Sequence, residues 1–297
     1  MEKIWFITGS SRGLGRSITK AVLENGDKVI ATARNTELLQ DLEKQYPSKI
    51  LTLSLDVSVK SQIHSTVEKA IAHFGRIDVL VNNAGFGITG ATEAFTEEQV
   101  RNQLNVNLLA PIEITQTILP YMRKQQSGKI FQISSIGGRI GNAGLSIYQA
   151  AKFGLSGFSE SLRKEVEHLG IQVTSIEPGG FRTDWAGTSM TYAPFVEGYE
   201  QSIEKMKDFL NSGKFIPIGD PEKAAKIFID LANHPQPPMH LVLGSEAAAF
   251  LKKANELRNE EFKQWMPVTL STDHENSAKF YDTEEGKNYL IQKGIKL

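Results

Sequence analysis

The 297-residue chain contains no cysteine. That absence excludes disulfides, thiolate nucleophiles and cysteine-ligated metals, and none of the six histidines has metal-ligand spacing. Excess charge is also nearly absent, and a formal net charge of -1 gives no general attraction to nucleic acid or to an anionic membrane. The apolar run near the start, residues 4–7, is too short for a signal peptide or a membrane span. These absences predict a cytoplasmic protein without a metal, whose partners are small molecules.

The first two hundred residues alternate short β-branched or aliphatic runs with longer amphipathic stretches, which is typical of βαβ units. The pattern predicts an α/β fold with a doubly wound, Rossmann-type parallel sheet between two helical layers, a three-layer αβα arrangement. The predicted strands are 4–8, 28–33, 50–55, 79–82, 129–134, 172–176 and 240–244, and the predicted helices are 14–24, 60–74, 97–124, 148–168, 221–232 and 245–265.

One domain is expected over residues 1–270, because a single α/β sheet with its helices can absorb that length. Within it, residues from 179 to about 214 contain no clear strand, but they hold the aromatic and apolar residues Trp185, Met190, Tyr192, Phe195, Tyr199 and Phe209. This composition predicts a helical lid over an apolar site, at about residues 184–214. Residues 271–297 are polar and charged, and they are expected to form a C-terminal extension.

A glycine-rich turn follows the first predicted strand, and a helix opens directly after it. Glycines permit a close approach of the backbone to a pyrophosphate, whose charge is favoured by the free N–H groups at a helix N-terminus. The spacing is G-x-x-x-G-x-G, which departs from the G-x-G-x-x-G fingerprint, and a turn without a ligand is the alternative. The expected cofactor contacts in this turn are Gly9, Ser11, Arg12, Gly13, Leu14 and Gly15.

The end of the second strand indicates which dinucleotide binds. An NAD site presents an acidic side chain to the ribose 2′-hydroxyl, whereas NADP needs a cation for the 2′-phosphate. Here the strand ends Ala33-Arg34, without an acid, and Arg12 lies on the same side in this topology. Two arginines at these positions predict NADP(H). After the third strand, Asp56 and its neighbour Val57 are expected at the adenine, and helix capping or a surface charge is the alternative for Asp56.

Further motifs lie at the predicted strand ends or on the predicted helices. Two candidate asparagines, Asn105 and Asn107, share one helix, and two candidate serines, Ser134 and Ser135, end the fifth strand. The remaining motifs are Asn82-Asn83-Ala84-Gly85 after strand four, Tyr148-Gln149-Ala150-Ala151-Lys152 on the fourth helix and Pro178-Gly179-Gly180-Phe181-Arg182-Thr183 after strand six.

In this order and placement, the motifs resemble the short-chain dehydrogenase/reductase family over roughly residues 4–243, in particular its NADP-dependent carbonyl and hydroxysteroid-type members. The resemblance implies that Asn107 distorts its helix and holds a water that links Lys152 to solvent. It implies that Lys152 also holds the nicotinamide ribose. The implied cofactor contacts beyond the glycine turn are Asn83, Ala84, Gly85, Tyr148, Lys152, Pro178, Gly179 and Thr183. For Thr183, a capping role is the alternative.

The spacing of Tyr148 and Lys152 agrees with this chemistry, because residues four apart emerge from one face of a helix. The nearby ammonium and an oxidised nicotinamide are expected to lower the pKa of Tyr148 toward neutrality, making it a general acid/base. Ser135 is expected to hydrogen-bond to the same substrate oxygen. We prefer Ser135 to Ser134 because Ile136 and two glycines follow it as in the family, and its neighbour points to the opposite face.

The sequence thus predicts an NADP(H)-dependent enzyme that reduces an apolar ketone or aldehyde to an alcohol, or catalyses the reverse. The alternatives are a non-catalytic NADP(H)-binding sensor, an NAD-dependent alcohol dehydrogenase, and a sugar-nucleotide epimerase or dehydratase. Such epimerases and dehydratases carry a larger C-terminal substrate domain, and the residues after the predicted sheet are expected to be too few for it. The shortest family members end near the last strand, so the extension here argues against their tetramer. A dimer or a monomer is expected.

Overall fold

The computed structural model describes residues 2–183, 190–205, 207–208, 212, 216–274 and 280–294. The strands in this part of the chain are β1 Ile4–Thr8, β2 Lys28–Ala33, β3 Ile50–Ser54, β4 Val79–Asn82, β5 Gly87–Thr89, β6 Gly128–Ile133, β7 Ile171–Pro178, β8 Met190–Tyr192 and β9 His240–Leu243. Seven of them form one parallel sheet in the order β3-β2-β1-β4-β6-β7-β9. The order reverses direction between β1 and β4, which opens a ligand crevice at the carboxyl ends of the strands.

The helices flank this sheet on both faces. Those in the described residues are α1 Gly13–Glu24, α2 Gln40–Gln45, α3 Lys60–Phe74, α4 Glu97–Leu104, α5 Ala110–Gln125, α6 Ser146–Val166, α7 Pro221–Asn233, α8 Ser245–Leu270 and α9 Glu284–Gln292. A π-helical turn, Asn105–Leu109, joins α4 to α5. Where the sequence predicts one helix over 97–124, the chain therefore forms two helices with a distorted turn between them.

Strand β1 shows why both faces of the sheet are covered. All five of its residues are buried, and side chains alternate between faces along a strand. Trp5 packs with α1 and α7 in one apolar cluster, and Phe6 packs with α3, α5 and α6 in the other. The three-layer αβα fold expected from the sequence is confirmed.

A second, two-stranded parallel sheet joins β5 to β8 beside the main sheet. Its register pairs Gly87 with Met190 and Thr89 with Tyr192. The expectation that residues 179–214 contain no clear strand is wrong, because the three residues of β8 pair with β5. The other parts of the expected lid, residues 184–189, 206, 209–211 and 213–215, lie outside the described residues, and so do Trp185 and Phe209.

The chain divides into two compact units, Met1–Leu251 and Lys252–Leu297. The first contains both sheets. The second contains the rest of α8, a 3-10 turn Phe280–Asp282 and α9, which Thr283 caps by accepting a hydrogen bond from the Gly286 N–H. The sequence places the start of the extension after residue 270, where α8 ends. None of the helices in the described ranges is both long and apolar enough to cross a membrane.

Candidate active site

The glycine turn between β1 and α1 has a backbone that only glycine adopts readily. Gly9 has φ +69° and Gly13 has φ +52°, both in the left-handed region. Gly15 lies in the first turn of α1, where a Cβ would meet the Gly9 carbonyl oxygen at 2.3 Å and the Asn83 Nδ2 at 2.4 Å. The glycines are therefore required by the geometry of the turn.

The segment after β4 is fastened to this turn by Thr8. The Thr8 hydroxyl accepts hydrogen bonds from the Asn83 and Ala84 N–H groups at 2.9 and 3.0 Å. In return, Asn83 Nδ2 donates to the carbonyl oxygens of Thr8 at 2.9 Å and Gly9 at 3.2 Å. The two segments expected to contact a dinucleotide are thus one connected surface, with Gly85 exposed at its edge. Thr8 is a residue that the sequence analysis did not assign to the site.

The segment after β7 reaches the same turn. Pro178 ends β7, and the Gly179 N–H donates to the Leu243 carbonyl oxygen at 2.9 Å. Thr183 then comes next to Gly13, because a Cβ on this glycine would lie 3.4 Å from the Thr183 Cβ. The structure therefore brings Thr183 to the N-terminus of α1, while its role as a cofactor contact stays a prediction.

Two charged residues stand at the ends of neighbouring strands β2 and β3. Arg34 is exposed directly after β2, and Asp56 follows β3. The Ser58 hydroxyl, which donates to Asp56 Oδ1 at 2.6 Å, is the main cause that lowers the pKa of Asp56, and the Arg34 charge adds to it. Asp56 Oδ1 thus stabilises a local turn at Ser58, a role that is close to the helix-capping alternative for Asp56. Val57 is buried beside it, and Arg12, Ser11 and Leu14 lie in the glycine turn.

Tyr148 and Lys152 emerge side by side from α6 and are both buried. The Lys152 ammonium nitrogen lies 5.9 Å from the centroid of the Tyr148 ring and donates to the Ile133 carbonyl oxygen at 2.7 Å. Ser135 lies just beyond the end of β6 and hydrogen-bonds to the Tyr148 hydroxyl. A hydroxyl pair with an adjacent ammonium is an arrangement that can move a proton to or from a substrate oxygen.

The two neighbouring serines have different roles. The Ser134 hydroxyl donates to the Lys152 carbonyl oxygen at 3.1 Å and pairs with the Ser156 hydroxyl at 2.9 Å, so it attaches β6 to α6. Ser135 points the other way and meets Tyr148. This contrast supports the choice of Ser135.

The two candidate asparagines also separate. Asn107 lies within the π-helical turn, fully buried, where its Nδ2 donates to the Phe86 carbonyl oxygen at 2.7 Å and its Oδ1 accepts from the Phe86 N–H at 3.1 Å. A Cβ on Gly85 would lie 3.2 Å from this Oδ1 and 3.7 Å from the Lys152 ammonium nitrogen. Asn105 donates instead to the Ser58 carbonyl oxygen. Only Asn107 of the two therefore lies with Lys152.

The pKa values of the pair differ from the expectation. Burial raises the pKa of Tyr148 to about 12, and the hydrogen bond with Ser135 offsets only part of that effect. Burial also lowers the pKa of Lys152 to about 8. In the protein alone, the tyrosine pKa is thus not lowered toward neutrality. Burial dominates here because it disfavours the charged phenolate. The expected lowering also depends on the positive charge of an oxidised nicotinamide, so it stays a prediction for the protein with its cofactor.

Comparisons with known proteins show the family to which the chain belongs. A family model described as short chain dehydrogenase matches residues 3–191. Oxidoreductase BOA17 of Botryotinia fuckeliana (strain B05.10) is 41% identical over 92% of this chain and 100% of its own length. A 3-ketodihydrosphingosine reductase of Bacteroides thetaiotaomicron is 33% identical over 90% of this chain and 94% of its own. The crystal structure of a short-chain dehydrogenase from Streptomyces avermitilis has 36% identity and a TM-score of 0.88, covering 92% of this chain and 100% of that one.

The chain belongs to the short-chain dehydrogenase/reductase family. It is an oxidoreductase of that family, whose members bind NAD(P)(H) and act on alcohol or carbonyl groups. The family resemblance inferred from the sequence is confirmed. Within the described ranges, no group of three or more His, Asp or Glu side chains is arranged to hold a metal ion.

Proposed function

We propose that the protein is an NADP(H)-dependent oxidoreductase that reduces a ketone or aldehyde to an alcohol, or catalyses the reverse, with Tyr148 as its general acid/base. The observation that carries this proposal is the buried cluster in which Ser135 hydrogen-bonds to the Tyr148 hydroxyl beside the Lys152 ammonium. The cluster lies at the carboxyl end of the parallel sheet, where such folds bind their ligands.

In the protein without a cofactor, the protonation state of Tyr148 at neutral pH suits the reduction of a carbonyl group. With a pKa of about 12, Tyr148 carries its proton at pH 7 and is ready to donate it to a carbonyl oxygen. The Ser135 hydroxyl lies within hydrogen-bond distance of the Tyr148 hydroxyl. It would therefore donate to the same substrate oxygen and stabilise the negative charge that develops there. In the reverse direction Tyr148 must first lose its proton, which burial opposes.

Lys152 and Asn107 would support the phenolate that remains after proton transfer. With a pKa of about 8, Lys152 is mostly protonated at pH 7, so its charge stabilises the anion. One of its three N–H donors binds Ile133, which leaves two for the ribose hydroxyls. We assign to Asn107 the water that returns a proton through Lys152, because Asn107 Oδ1 and the lysine nitrogen flank Gly85.

The residues around the glycine turn fit the pyrophosphate of a dinucleotide, since among the described residues no side-chain cap and no acidic residue occupies the N-terminus of α1. The chemistry that bound NADP(H) supplies is hydride transfer, together with a positive ring charge in its oxidised form. The residues that would hold it are Gly9, Ser11, Arg12, Gly13, Leu14 and Gly15 at the pyrophosphate, Asp56 and Val57 at the adenine, and Asn83, Ala84, Gly85, Tyr148, Lys152, Pro178, Gly179 and Thr183 along the nicotinamide half.

A preference for NADP(H) rests on the end of β2. Ala33 occupies the place of the carboxylate that an NAD site presents, and Arg34 follows it with an exposed guanidinium. The effect of Arg34 on the pKa of Asp56 supports this placement, because it puts the positive charge beside the adenine end of the site. Arg12, in the glycine turn, would add a second cation.

The substrate we propose is an apolar carbonyl compound. Strand β5 directly follows Phe86, which Asn107 binds, so the β5–β8 sheet lies beside the proposed site. There Met190 and Ala193 are buried and Phe195 is 57% exposed, which supports apolar surroundings for the substrate. The Bacteroides relative is named for the reduction of a keto group, which is consistent with a ketone as the reacting function.

The test is a panel of ketones and aldehydes followed by NADPH absorbance, with wild type and Tyr148→Phe in parallel. We expect turnover of at least one apolar ketone by wild type, and loss of nearly all of it in Tyr148→Phe with unchanged NADPH affinity. Turnover by the variant within about tenfold of wild type would exclude Tyr148 as the acid/base. NADPH binding without turnover across the panel would favour the sensor alternative.

A further inference from the structure

A buried carboxylate lies just outside the cluster described above. Glu177 is fully buried in β7, immediately before Pro178. Its Oε2 lies 3.1 Å from the Arg139 guanidinium, and its Oε1 lies 2.7 Å from His240 Nδ1 and accepts from the Ser175 hydroxyl at 3.2 Å. A fully desolvated carboxylate with this many partners is tightly constrained in position.

Arg139 ends the short turn that begins at Ser135. The Ser135 hydroxyl accepts a hydrogen bond from the Gly137 N–H at 3.0 Å, and the Ser135 carbonyl oxygen accepts one from the Gly138 N–H at 2.9 Å. The Arg139 N–H then donates to the Ile136 carbonyl oxygen at 2.9 Å. Because these bonds link the five consecutive residues from Ser135 to Arg139, the position of the Arg139 backbone constrains the position of the Ser135 hydroxyl.

The opposite side of this turn rests on α6. A Cβ on Gly138 would lie 2.8 Å from the Lys152 carbonyl oxygen and 2.7 Å from the Ser156 hydroxyl. The turn is thus in contact with the helix that carries Tyr148 on one side, while the arginine at its end is joined to β7 on the other. Both contacts restrict where the Ser135 hydroxyl can lie.

From this arrangement we infer that Arg139 and Glu177 are positioning residues for Ser135. Their ion pair holds the turn so that the Ser135 hydroxyl meets the substrate oxygen together with Tyr148. The inference rests on the proposed function, because it needs Ser135 to act on the substrate. A displacement of about 1 Å in such a group can lower a rate about a hundredfold, so the pair affects turnover without touching the substrate.

His240 provides the matched control. It binds the same carboxylate, but it does so from β9 and not from the Ser135 turn. If the cluster acts only by stabilising the fold, loss of His240 and loss of Arg139 have similar consequences. If the ion pair positions Ser135, only loss of Arg139 changes turnover strongly.

The experiment compares the double variant Arg139→Met/Glu177→Gln with His240→Gln, each with and without Ser135→Ala. The double variant cuts the ion pair without leaving a buried carboxylate unpaired, and Arg139→Lys tests whether the charge alone rescues it. The measurements are kcat and KM for a ketone substrate, at micromolar enzyme for the slow variants, and the Kd of NADPH.

We expect the double variant to lower kcat about ten- to hundredfold, with the NADPH Kd within about twofold of wild type. In the Ser135→Ala background the same double variant should lower kcat by less than about twofold, since the hydroxyl that it positions is already gone. Arg139→Lys should fall between wild type and the double variant, and His240→Gln should keep kcat within about twofold of wild type.

If the double variant lowered kcat in the Ser135→Ala background by the same factor as in wild type, the inference would be overturned and the proposed function would remain intact. A similar loss of kcat in His240→Gln, or a fall in NADPH affinity in the double variant, would also overturn it. If Ser135→Ala itself kept wild-type turnover, the role of Ser135 in the proposed function would fail, and the inference would fail with it.

Discussion

Gly15 and Asn83 approach so closely that a methyl group on the glycine would lie 2.4 Å from the asparagine Nδ2. The asparagine cannot withdraw easily, because the same nitrogen donates to Thr8 and Gly9. The close contact joins the carboxyl ends of β1 and β4. It therefore links the conformation of the glycine turn to the segment that ends at Gly85.

Gly15→Ala is expected to disrupt this junction. The added Cβ must displace backbone, so we expect a loss of about 1–3 kcal/mol in the free energy of unfolding and at least tenfold weaker NADPH binding. Gly157→Ala is the control, since in α6 its Cβ meets nothing within 4 Å among the described residues. That change should stabilise the helix by up to about 1 kcal/mol. Denaturant unfolding and NADPH titration measure both effects, and unchanged binding in Gly15→Ala would contradict the role of the turn.

Ser134→Ala and Ser135→Ala are expected to give opposite phenotypes. Loss of the two hydrogen bonds of buried Ser134 should cost about 1–2 kcal/mol of stability and leave kcat within about threefold of wild type. Loss of the Ser135 hydroxyl should lower kcat about a hundredfold or more and cost less than about 1 kcal/mol of stability. Steady-state kinetics and denaturant unfolding on both variants check the assignment, and the reverse pattern would mean that Ser134 is the catalytic serine.

Cofactor preference should follow Ala33 and Arg34. A charge-assisted contact to the 2′-phosphate contributes on the order of 1.5–3 kcal/mol, so wild type should prefer NADPH over NADH by about ten- to a hundredfold in kcat/KM. In Ala33→Asp/Arg34→Ser the new carboxylate repels phosphate, and we expect the preference to reverse. Arg101→Ser, at an exposed arginine on α4, is the charge control. Equal efficiency of wild type with both cofactors, measured at one ionic strength, would show that neither Arg12 nor Arg34 reads the phosphate.

Lys152→Met should make the protein more stable and inactive. Burial lowers the pKa of Lys152 from 10.5 to about 8, so the charged form is disfavoured in the fold at neutral pH. At about 1.4 kcal/mol for each pKa unit, less about 1 kcal/mol for the lost bond to Ile133, the variant should gain on the order of 2 kcal/mol at pH 7. Thermal and denaturant unfolding measure the gain, and a destabilised variant would indicate that the ammonium is well paired in the fold.

The pH dependence follows from the same group. Between pH 8 and 10.5 the unfolded chain binds the Lys152 proton and the folded chain releases it, so this group makes wild-type stability rise with pH. The advantage of Lys152→Met should therefore shrink across that window. Above pH 10 Tyr148 acts in the opposite direction, because its folded pKa of about 12 is the higher one. Turnover in reduction should decline above about pH 8 as Lys152 loses its charge, and a flat profile to pH 10 would argue against its role.

Most of the main sheet could be predicted from the sequence because its strands are buried on both faces and therefore read as apolar runs, as in β1 and β4. Helix α2 could not, since its six residues Gln40–Gln45 are too few for a periodic pattern. The strands β5 and β8 could not either, because each has three residues and the pairing depends on a partner far along the chain.

For the site, the order of the motifs predicts that Tyr148, Lys152 and Ser135 lie together, as they do in the structure, because the spacing of residues on a helix and at a strand end is a local property. Burial is not local, which is why the sequence does not reveal that the pKa of Tyr148 is raised in the protein alone. Glu177 was missed for the same reason. A glutamate before a proline resembles a surface charge until Arg139 and His240 are seen to converge on it.

The small β5–β8 sheet has a consequence for the order in which the protein folds. Gly87 and Met190 are about a hundred residues apart, and closing a loop of that length in an unfolded chain costs about 4 kcal/mol of entropy. Once β4 and β7 have joined the main sheet, only about a dozen residues separate the end of β7 from Met190, and the cost falls by about half. The small sheet therefore closes after the large one. We expect this small sheet to be among the last parts of the fold to assemble and among the first to open, so its amides should exchange with solvent before those of β1 and β4.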